Sequence, residues 1–454
     1  MRKPFGMRLW KFYLVTFGCK VNQYEGQAIF EAWKKLGGTE CAVAAEADII
    51  CINSCAVTAK GERDARNAVF RLRREAPTAR LILTGCAARL YKNFQTKPDK
   101  PDLIIPQEEK YRLLFDPWIE KNESPVASTT FPPFAIDSFK RARPVLKVQD
   151  GCSRRCTYCI VPLTRGKSVS RPFHDILEET RRLLNAGHAE IMLSGVNLSQ
   201  YRHDVTTNGN FWDLLRDLDR TLSPEFGKKA RLRLSSLDPS QLDDRGLEVL
   251  ASSSMVCPHL HISLQHTSQS ILQKMGRGHY SAESLASALR NLSTVWPAMG
   301  LGADILVGFP GETEDDVEHL LTYIDGLALS YAHVFPYSPR PGTVAATLRD
   351  QKDIQVKIAR AARVRACAQQ ARQRFLQAQL ALPRMFVAPD IPPAPPQNEQ
   401  KDLQYVAGGH NILWKGVNEY YIPCCVNAPT TPTGGLLAVR PTGIAGNKLI
   451  TERI

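Results

Sequence analysis

The sequence predicts an α/β chain in three parts: an N-terminal doubly wound parallel sheet, a central partial (β/α) barrel and a small C-terminal all-β module. Three observations carry this prediction. Short apolar runs alternate with amphipathic helical stretches as far as about residue 380, the pattern of parallel strands covered by helices. A proline-rich run, "APDIPPAPPQ" (388–397), then interrupts the periodicity and reads as extended linker. The last fifty residues alternate apolar and polar around glycines and prolines, as short strands joined by turns do.

Taken in order, "RLWKFYLVT" (8–16) is β-branched and aromatic and reads as a strand, with a helical pattern following over 25–36. "EADIICINSCAVT" (46–58) and "ARLILTGCAARL" (79–90) are the next strands. The stretch 121–144 carries Pro, Ser and Thr without periodicity and reads as a linker or a substrate-facing loop. Alternation resumes at 145, with strands at 145–150, 190–195, 231–236, 259–264, 301–309 and 331–337. Helical patterns separate them at 174–186, 212–220, 268–275, 282–296 and 314–327, and an Arg- and Gln-rich helix is expected over 351–382. "GFPGET" (308–313) is glycine-rich, but a single such loop points to a turn opening a helix rather than to a phosphate cradle. The resulting domains are 8–122, a linker at 123–144, a barrel at 145–382, a proline-rich linker at 383–399 and the β module at 400–454.

Composition narrows the function. At 454 residues, 43% hydrophobic and 23% charged, the chain has the make-up of a globular protein. No run approaches a membrane span, and the basic N-terminus lacks the apolar core of a secretory signal, so a cytoplasmic protein is expected. Twelve cysteines in a chain this long point to metal binding or chemistry rather than to a disulfide framework. The net charge of +13 favours a polyanionic partner, most often nucleic acid.

Cys152-x3-Cys156-x2-Cys159 follows the first barrel strand directly, at the end where barrels place their chemistry. Structural zinc takes four protein ligands, and the next histidine, His174, opens a helix. Three thiolates can hold three irons of a [4Fe–4S] cluster and leave the fourth iron open. Three unrelated core cysteines, or zinc with an outside ligand, are the alternatives. Cys19, Cys55 and Cys86 end the three N-terminal strands, where ligands of doubly wound sheets gather. Cys41, Cys51, Cys257, Cys367, Cys424 and Cys425 match no motif and read as core.

The triplet, with Tyr158 before its last cysteine, resembles the signature of the radical S-adenosylmethionine (SAM) superfamily. "GCKVNQYE", "NSCAVT" and "TGC" ahead of it resemble the methylthiotransferase family, over roughly residues 10–380. "LSGVNLSQY", "SSLDP", "SLQHTS", "DILVGFPGET" and "HVFPYSPRPGT" extend the likeness. The resemblance implies a barrel of the radical SAM type and two [4Fe–4S] clusters. Cys152, Cys156 and Cys159 would hold the cluster that chelates SAM and cleaves it to a 5′-deoxyadenosyl radical. Cys19, Cys55 and Cys86 would hold an auxiliary cluster that carries the sulfur. It further implies that Tyr158, Ser194, Gly195 and Asn197 line the SAM site, with Gln265 and Asp304, at later strand ends, facing SAM or substrate.

"GCKVNQYE" and "HVFPYSPRPGT" are most similar to the branch that converts N6-threonylcarbamoyladenosine 37 of tRNA to its 2-methylthio derivative. The alternatives are the branches acting on N6-isopentenyladenosine 37 or on a ribosomal-protein aspartate. His266 in "SLQHTS" departs from the branch pattern, which has a small residue there. The expected partners are the tRNA anticodon loop and an electron donor such as flavodoxin or ferredoxin. Two arginine-rich helical runs, 63–74 and 357–375, are candidate phosphate-binding faces. The β module is expected to correspond to the family's small RNA-binding TRAM barrel.

Overall fold

The structure is a computed structural model that describes residues 9–90, 100–120, 131–202, 209–390, 412–428 and 435–454. Its first part comprises β1 (Trp10–Thr16), α1 (Lys20–Lys35), β2 (Gly38–Glu40), β3 (Ile49–Ser54), α2 (Ala59–Glu75), β4 (Arg80–Gly85) and β5 (Leu103–Ile104). The strands are all parallel, in the order β2-β1-β3-β4-β5. Alternation along β3 makes the sheet doubly wound. Ile49 and Cys51 pack with Tyr24 and Ile29 of α1, whereas Ile50 and Ile52 pack with Val69 and Leu72 of α2. The strand order reverses between β1 and β3, so a crevice opens at their carboxyl ends.

The second part runs through β6 (Val145–Asp150), α3 (Val161–Arg165), β7 (Val169–Ser170), α4 (Phe173–Asn185), β8 (Glu190–Gly195), α5 (Phe211–Phe226), β9 (Arg231–Leu234) and β10 (Ser236–Leu237). It continues with α6 (Asp244–Ser252), β11 (His259–Gln265), α7 (Gln269–Lys274), α8 (Ala282–Val295), β12 (Gly300–Val307), α9 (Glu314–Asp325) and β13 (Leu329–Pro336). Parallel strands run β6-β8-β9 and β10-β11-β12-β13, with β7 antiparallel on the edge of β6. The expected strand 231–236 is broken at Ser235, and its two halves join different sheets of one open barrel. Helix α6 has no counterpart in the sequence reading. It is short, and its best signal was Asp243, whose carboxylate caps Gly246 N.

One continuous core crosses from α1 into the barrel, and it includes Phe134, Ile136 and Phe139. The described part of the predicted 123–144 linker is therefore packed chain, anchored where the Tyr24 hydroxyl donates to Phe134 O at 2.8 Å. Residues 123–130 lie outside the described residues. In "GFPGET" the Glu312 carboxylate accepts from Gly308 N at 2.8 and 2.9 Å, and Thr313 caps α9. The loop is thus closed on itself, as the turn reading expects.

Helix α10 (Ile354–Gln379) buries Ala361, Val364, Ala368, Ala371 and Phe375, a helical stripe. Then β14 (Met385–Pro389), β15 (Ile412–Asn418), β16 (Pro423–Ala428), β17 (Leu437–Ala445) and β18 (Lys448–Arg453) close a barrel in the order β14-β15-β16-β18-β17. The β module therefore starts at Met385, inside the stretch assigned as proline-rich linker. Pro389 is tolerated because it is the last residue of its strand. The rest of that linker, from 391, lies outside the described residues.

The turn between β15 and β16 plugs the amino ends of the central strands. Arg231 donates to Phe386 O and Val417 O, and Arg233 donates to Asn418 O and Glu419 O. Buried Glu190 accepts from both guanidiniums at 2.7 Å. Burial alone would raise its carboxyl, but Arg233 and Arg231 hold it down from 4.5 to about 2. A depressed carboxyl stabilises the fold above its ordinary value and loses that contribution as pH falls through the folded value. Glu190→Gln is therefore expected to cost about 3 kcal/mol near neutrality. Urea unfolding should show its gap to the wild type shrinking as pH drops from about 5 to about 2; a constant gap would disprove the assignment.

Candidate functional site

Two glycines bring the N-terminal cysteines together. Gly18 has φ +93°, and a Cβ there would lie 2.6 Å from Cys55 Cβ and Sγ. Gly85 has φ +91°, and its Cβ would lie 2.4 Å from Ser54 O. Only glycine lets both loops close onto the end of β3, which sets Cys19 and Cys86 beside Cys55. The three thiols act on one another electrostatically. Burial pushes Cys55 up to about 11 and raises Cys86 as well. These thiols stay neutral unless a cation draws off their protons.

A buried ionic hub lies under them. The Glu25 carboxylate accepts from Lys147 Nζ at 2.5 Å and from Arg165 Nη1 at 2.9 Å, and pairs with Lys110 Nζ at 2.5 Å. Asp150 pairs with Lys147 at 2.6 Å and with Arg165 at 2.8 Å. Burial would raise both carboxyls, but the surrounding cations hold them below the usual range. Three cations face two carboxylates, so the hub lacks one negative charge. Arg165 Nε points at Cys86 Sγ from 3.1 Å, and an anionic sulfur there would supply it. The donor set therefore fits a metal–thiolate group.

Arg165 also ends the loop that leaves β6, the loop carrying Cys152, Cys156 and Cys159. Backbone bonds shape that loop: Cys152 N donates to Gly166 O, Cys159 N to Cys156 O, and Thr157 N to Met275 O, each at 3.0 Å. Its thiols also act on one another, and burial pushes Cys159 up to about 12. Arg277 Nη1 lies 3.9 Å from Cys156 Sγ, and Asn197 Nδ2 lies 3.6 Å from Cys152 Sγ. Three thiols on one loop fit three corners of a cluster and leave the fourth for another ligand. Tyr158 packs against Met275, Phe309 and Tyr337. Ser194 is buried at the end of β8, and Gly195 packs on Gln149, whose Oε1 accepts from Asn197 N at 2.8 Å. Gln265 ends β11 with φ +57°, strained backbone of the kind that clusters at functional sites.

A third constellation lines the barrel wall. The Asp304 carboxylate lies 3.0 Å from His261 Nε2 and 3.1 Å from His333 Nδ1. Its ligand-type atoms and theirs all fall within 4.8 Å of one another. Asp304 would be raised by burial, but the two imidazoles hold it well below the usual range. His261 Nδ1 meets the Tyr331 hydroxyl at 2.6 Å.

Residues 146–324 match the model of the Radical SAM superfamily, and residues 11–106 match that of Uncharacterized protein family UPF0004. A Threonylcarbamoyladenosine tRNA methylthiotransferase MtaB of Chlamydia pneumoniae is 37% identical over 76% of this chain and 79% of its own. The chain belongs to the radical SAM methylthiotransferase family. Within it, the relatives named MtaB mark its branch. A tRNA-2-methylthio-N(6)-dimethylallyladenosine synthase of Bartonella bacilliformis is 29% identical over 98% of this chain and 96% of its own. The solved structure of TsrM, a radical SAM methyltransferase from Kitasatospora setae, shares the fold. Its TM-score is 0.52 and its identity 15%, over 73% of this chain and 76% of its own.

As a radical SAM enzyme, this methylthiotransferase uses SAM and a [4Fe–4S] cluster. The structure departs from the sequence reading at three places around its site. Asp304 sits in the middle of β12 rather than at its end, opposite His333 in register and within 3.0 Å of His261 Nε2. His266, the departure from the branch pattern, is fully buried in its turn rather than exposed in a pocket, and accepts from Ser268 N at 3.0 Å. The 357–375 run is not a free phosphate face. Arg360, Arg363 and Arg374 are engaged by acidic side chains, and Arg365 and Arg372 by backbone carbonyls. Arg63 and Arg74 of α2 remain exposed and unpaired among the described residues. Sequence reasoning missed Glu25, Lys110, Lys147, Asp150 and Arg165, and also His261 and His333. Only the histidines left a signal, since they and Asp304 lie in three consecutive expected strands.

Proposed function

We propose that this methylthiotransferase inserts a methylthio group at C2 of N6-threonylcarbamoyladenosine 37 in tRNA, using two [4Fe–4S] clusters. One cluster is held by Cys152, Cys156 and Cys159, the other by Cys19, Cys55 and Cys86. The observation that carries this reading is Arg165, which leaves the first cysteine loop, joins Asp150 and donates to Cys86 Sγ. It ties the two cysteine groups into one rigid site. When bound, the clusters and SAM supply one-electron chemistry that can remove a hydrogen from a carbon no side chain can deprotonate.

The protein's own residues position and balance that chemistry. Arg165 and its hub offset negative charge at Cys86, and Arg277 does so near Cys156. Arg277 is itself oriented by Asp238 at 3.0 Å. Asn197, Ser194, Gly195, Tyr158 and Gln265 are proposed to line the SAM site, and Asp304 the substrate wall. The relatives named for threonylcarbamoyladenosine support the substrate, and their tRNA supports an anticodon-loop partner in the cytoplasm. No helix among the described residues is long and apolar enough to cross a membrane. The electron donor is proposed to be a flavodoxin or ferredoxin. The domains proposed are the N-terminal methylthiotransferase part (8–122), the radical SAM barrel (145–382) and the TRAM-like barrel, here counted from β14.

The test is mass spectrometry of tRNA nucleosides from a host lacking its own methylthiotransferases, with and without this chain. New 2-methylthio-N6-threonylcarbamoyladenosine is the expected product. The isopentenyl counterpart in its place would move the substrate to the second branch. Neither nucleoside, with iron loaded, would refute a tRNA substrate.

A further inference from the structure

We propose that Lys20 and His333 are the residues that select the substrate, reading the carboxylate and the hydroxyl of an amino-acid group carried on N6 of the adenine. This rests on the tRNA reading above. Lys20 follows Cys19 directly and is half-buried, yet its amine has no hydrogen bond or ion pair among the described residues. Other buried cations near the site are paired: Lys110, Lys147 and Arg165 with Glu25, Arg233 with Glu190, and Arg277 with Asp238. An unpaired amine in such surroundings is a place for an anion.

A run of aromatic rings links Lys20 to the His–Asp–His wall. Its Nζ lies 5.9 Å from the centre of the Tyr421 ring, and Asp304 is the charged group that acts most strongly on it. Tyr421 lies tilted at 5.2 Å from Tyr331, and Tyr331 lies 5.2 Å from His333. Lys20 also lines a cleft of about 400 Å³ with Arg141, Arg143 and Tyr421, which gives it access from outside.

The Asp304 carboxylate faces His261 Nε2 and His333 Nδ1, and His261 Nδ1 meets the Tyr331 hydroxyl. His333 Nε2 has no partner among the described residues, and that side chain is 56% exposed. An imidazole nitrogen of this kind bonds a hydroxyl group. An unpaired amine and an unpaired imidazole nitrogen match a hydroxy-amino-acid conjugate, whereas a hydrocarbon group would leave both unpartnered. Sites built this way discriminate strongly, because the wrong ligand strands their polar groups.

Three anticodon stem-loop RNAs test the assignment, with adenosine 37 bearing threonylcarbamoyl, glycinylcarbamoyl or isopentenyl. Affinity is measured for the iron-loaded wild type, Lys20→Met and His333→Leu. Lys20→Met should weaken both carboxylate-bearing RNAs by about ten- to a hundredfold and leave the isopentenyl RNA unchanged. His333→Leu should abolish the preference for threonyl over glycinyl. Iron per chain is assayed in parallel. If Lys20→Met lowers it, the His333 arm decides, since β13 carries none of the cysteines. A wild type with no preference for the threonylcarbamoyl RNA would overturn the substrate reading as well. A wild type with that preference, retained in both variants, would overturn this inference alone. Zinc that survives chelation in the wild type and is lost in His333→Leu would assign the wall to a cation instead.

Discussion

Replacing Cys156 by alanine is expected to abolish reductive cleavage of SAM while leaving RNA binding nearly intact. The thiol sits in the middle of the 152–159 loop, and its backbone carbonyl accepts from Cys159 N at 3.0 Å, a bond that the substitution preserves. The loop therefore keeps its shape and loses one of three iron ligands. Among the described residues, His279 is the imidazole close to the loop, and Asp238 holds it at 3.0 Å, so it is not free to replace the thiol. The measurement is anaerobic formation of 5′-deoxyadenosine with a chemical reductant, alongside iron per chain. Iron should fall by about half, to what the N-terminal cysteines alone would hold. Retained cleavage would show that the loop is not the SAM-cleaving centre.

The second large effect concerns the hub. Glu25→Gln leaves Lys110, Lys147 and Arg165 facing Asp150 alone, and a buried charge stripped of its partner costs about 3–5 kcal/mol. Arg165→Met should cost much less, since Lys110 and Lys147 then balance Glu25 and Asp150. That variant loses the hydrogen bond to Cys86, however, and should release iron from the N-terminal site more readily. Chemical unfolding and chelator-driven iron loss should thus rank the two variants in opposite orders. The same order in both assays would mean that the hub does not serve the cysteines. Acid should weaken the wild type for a related reason. Glu25 and Asp150 are held below the ordinary carboxylate range, so their contribution is complete above that range and fades as pH falls through their folded values.

Much of this was legible in the sequence, and for definite reasons. Strand β3 reads as a buried strand because all six of its residues are buried, and apolar side chains alternate between two helices. The six cysteines stood out because Cys19, Cys55 and Cys86 come just after strands and Cys152, Cys156 and Cys159 share the loop after β6, and the family likeness lay in contiguous motifs. Helix α10 shows the opposite case. Its arginines looked like an RNA face, but their acidic partners lie on α9 and its preceding turn, more than forty positions away. Charge runs do not reveal whether a distant element has already taken them up.

What the sequence by itself determined is the α/β alternation, the three-part order, the place of the six cysteines at strand ends and the family. These follow from local periodicity and contiguous motifs, which need no knowledge of what meets what. The tertiary structure alone decided that Arg165 reaches Glu25 across 140 positions and Cys86 across 79. It alone placed Lys20 beside Tyr421 and filled the barrel foot with the β15–β16 turn. Buried polar groups must find partners wherever the fold brings them, and sequence spacing carries no record of those meetings.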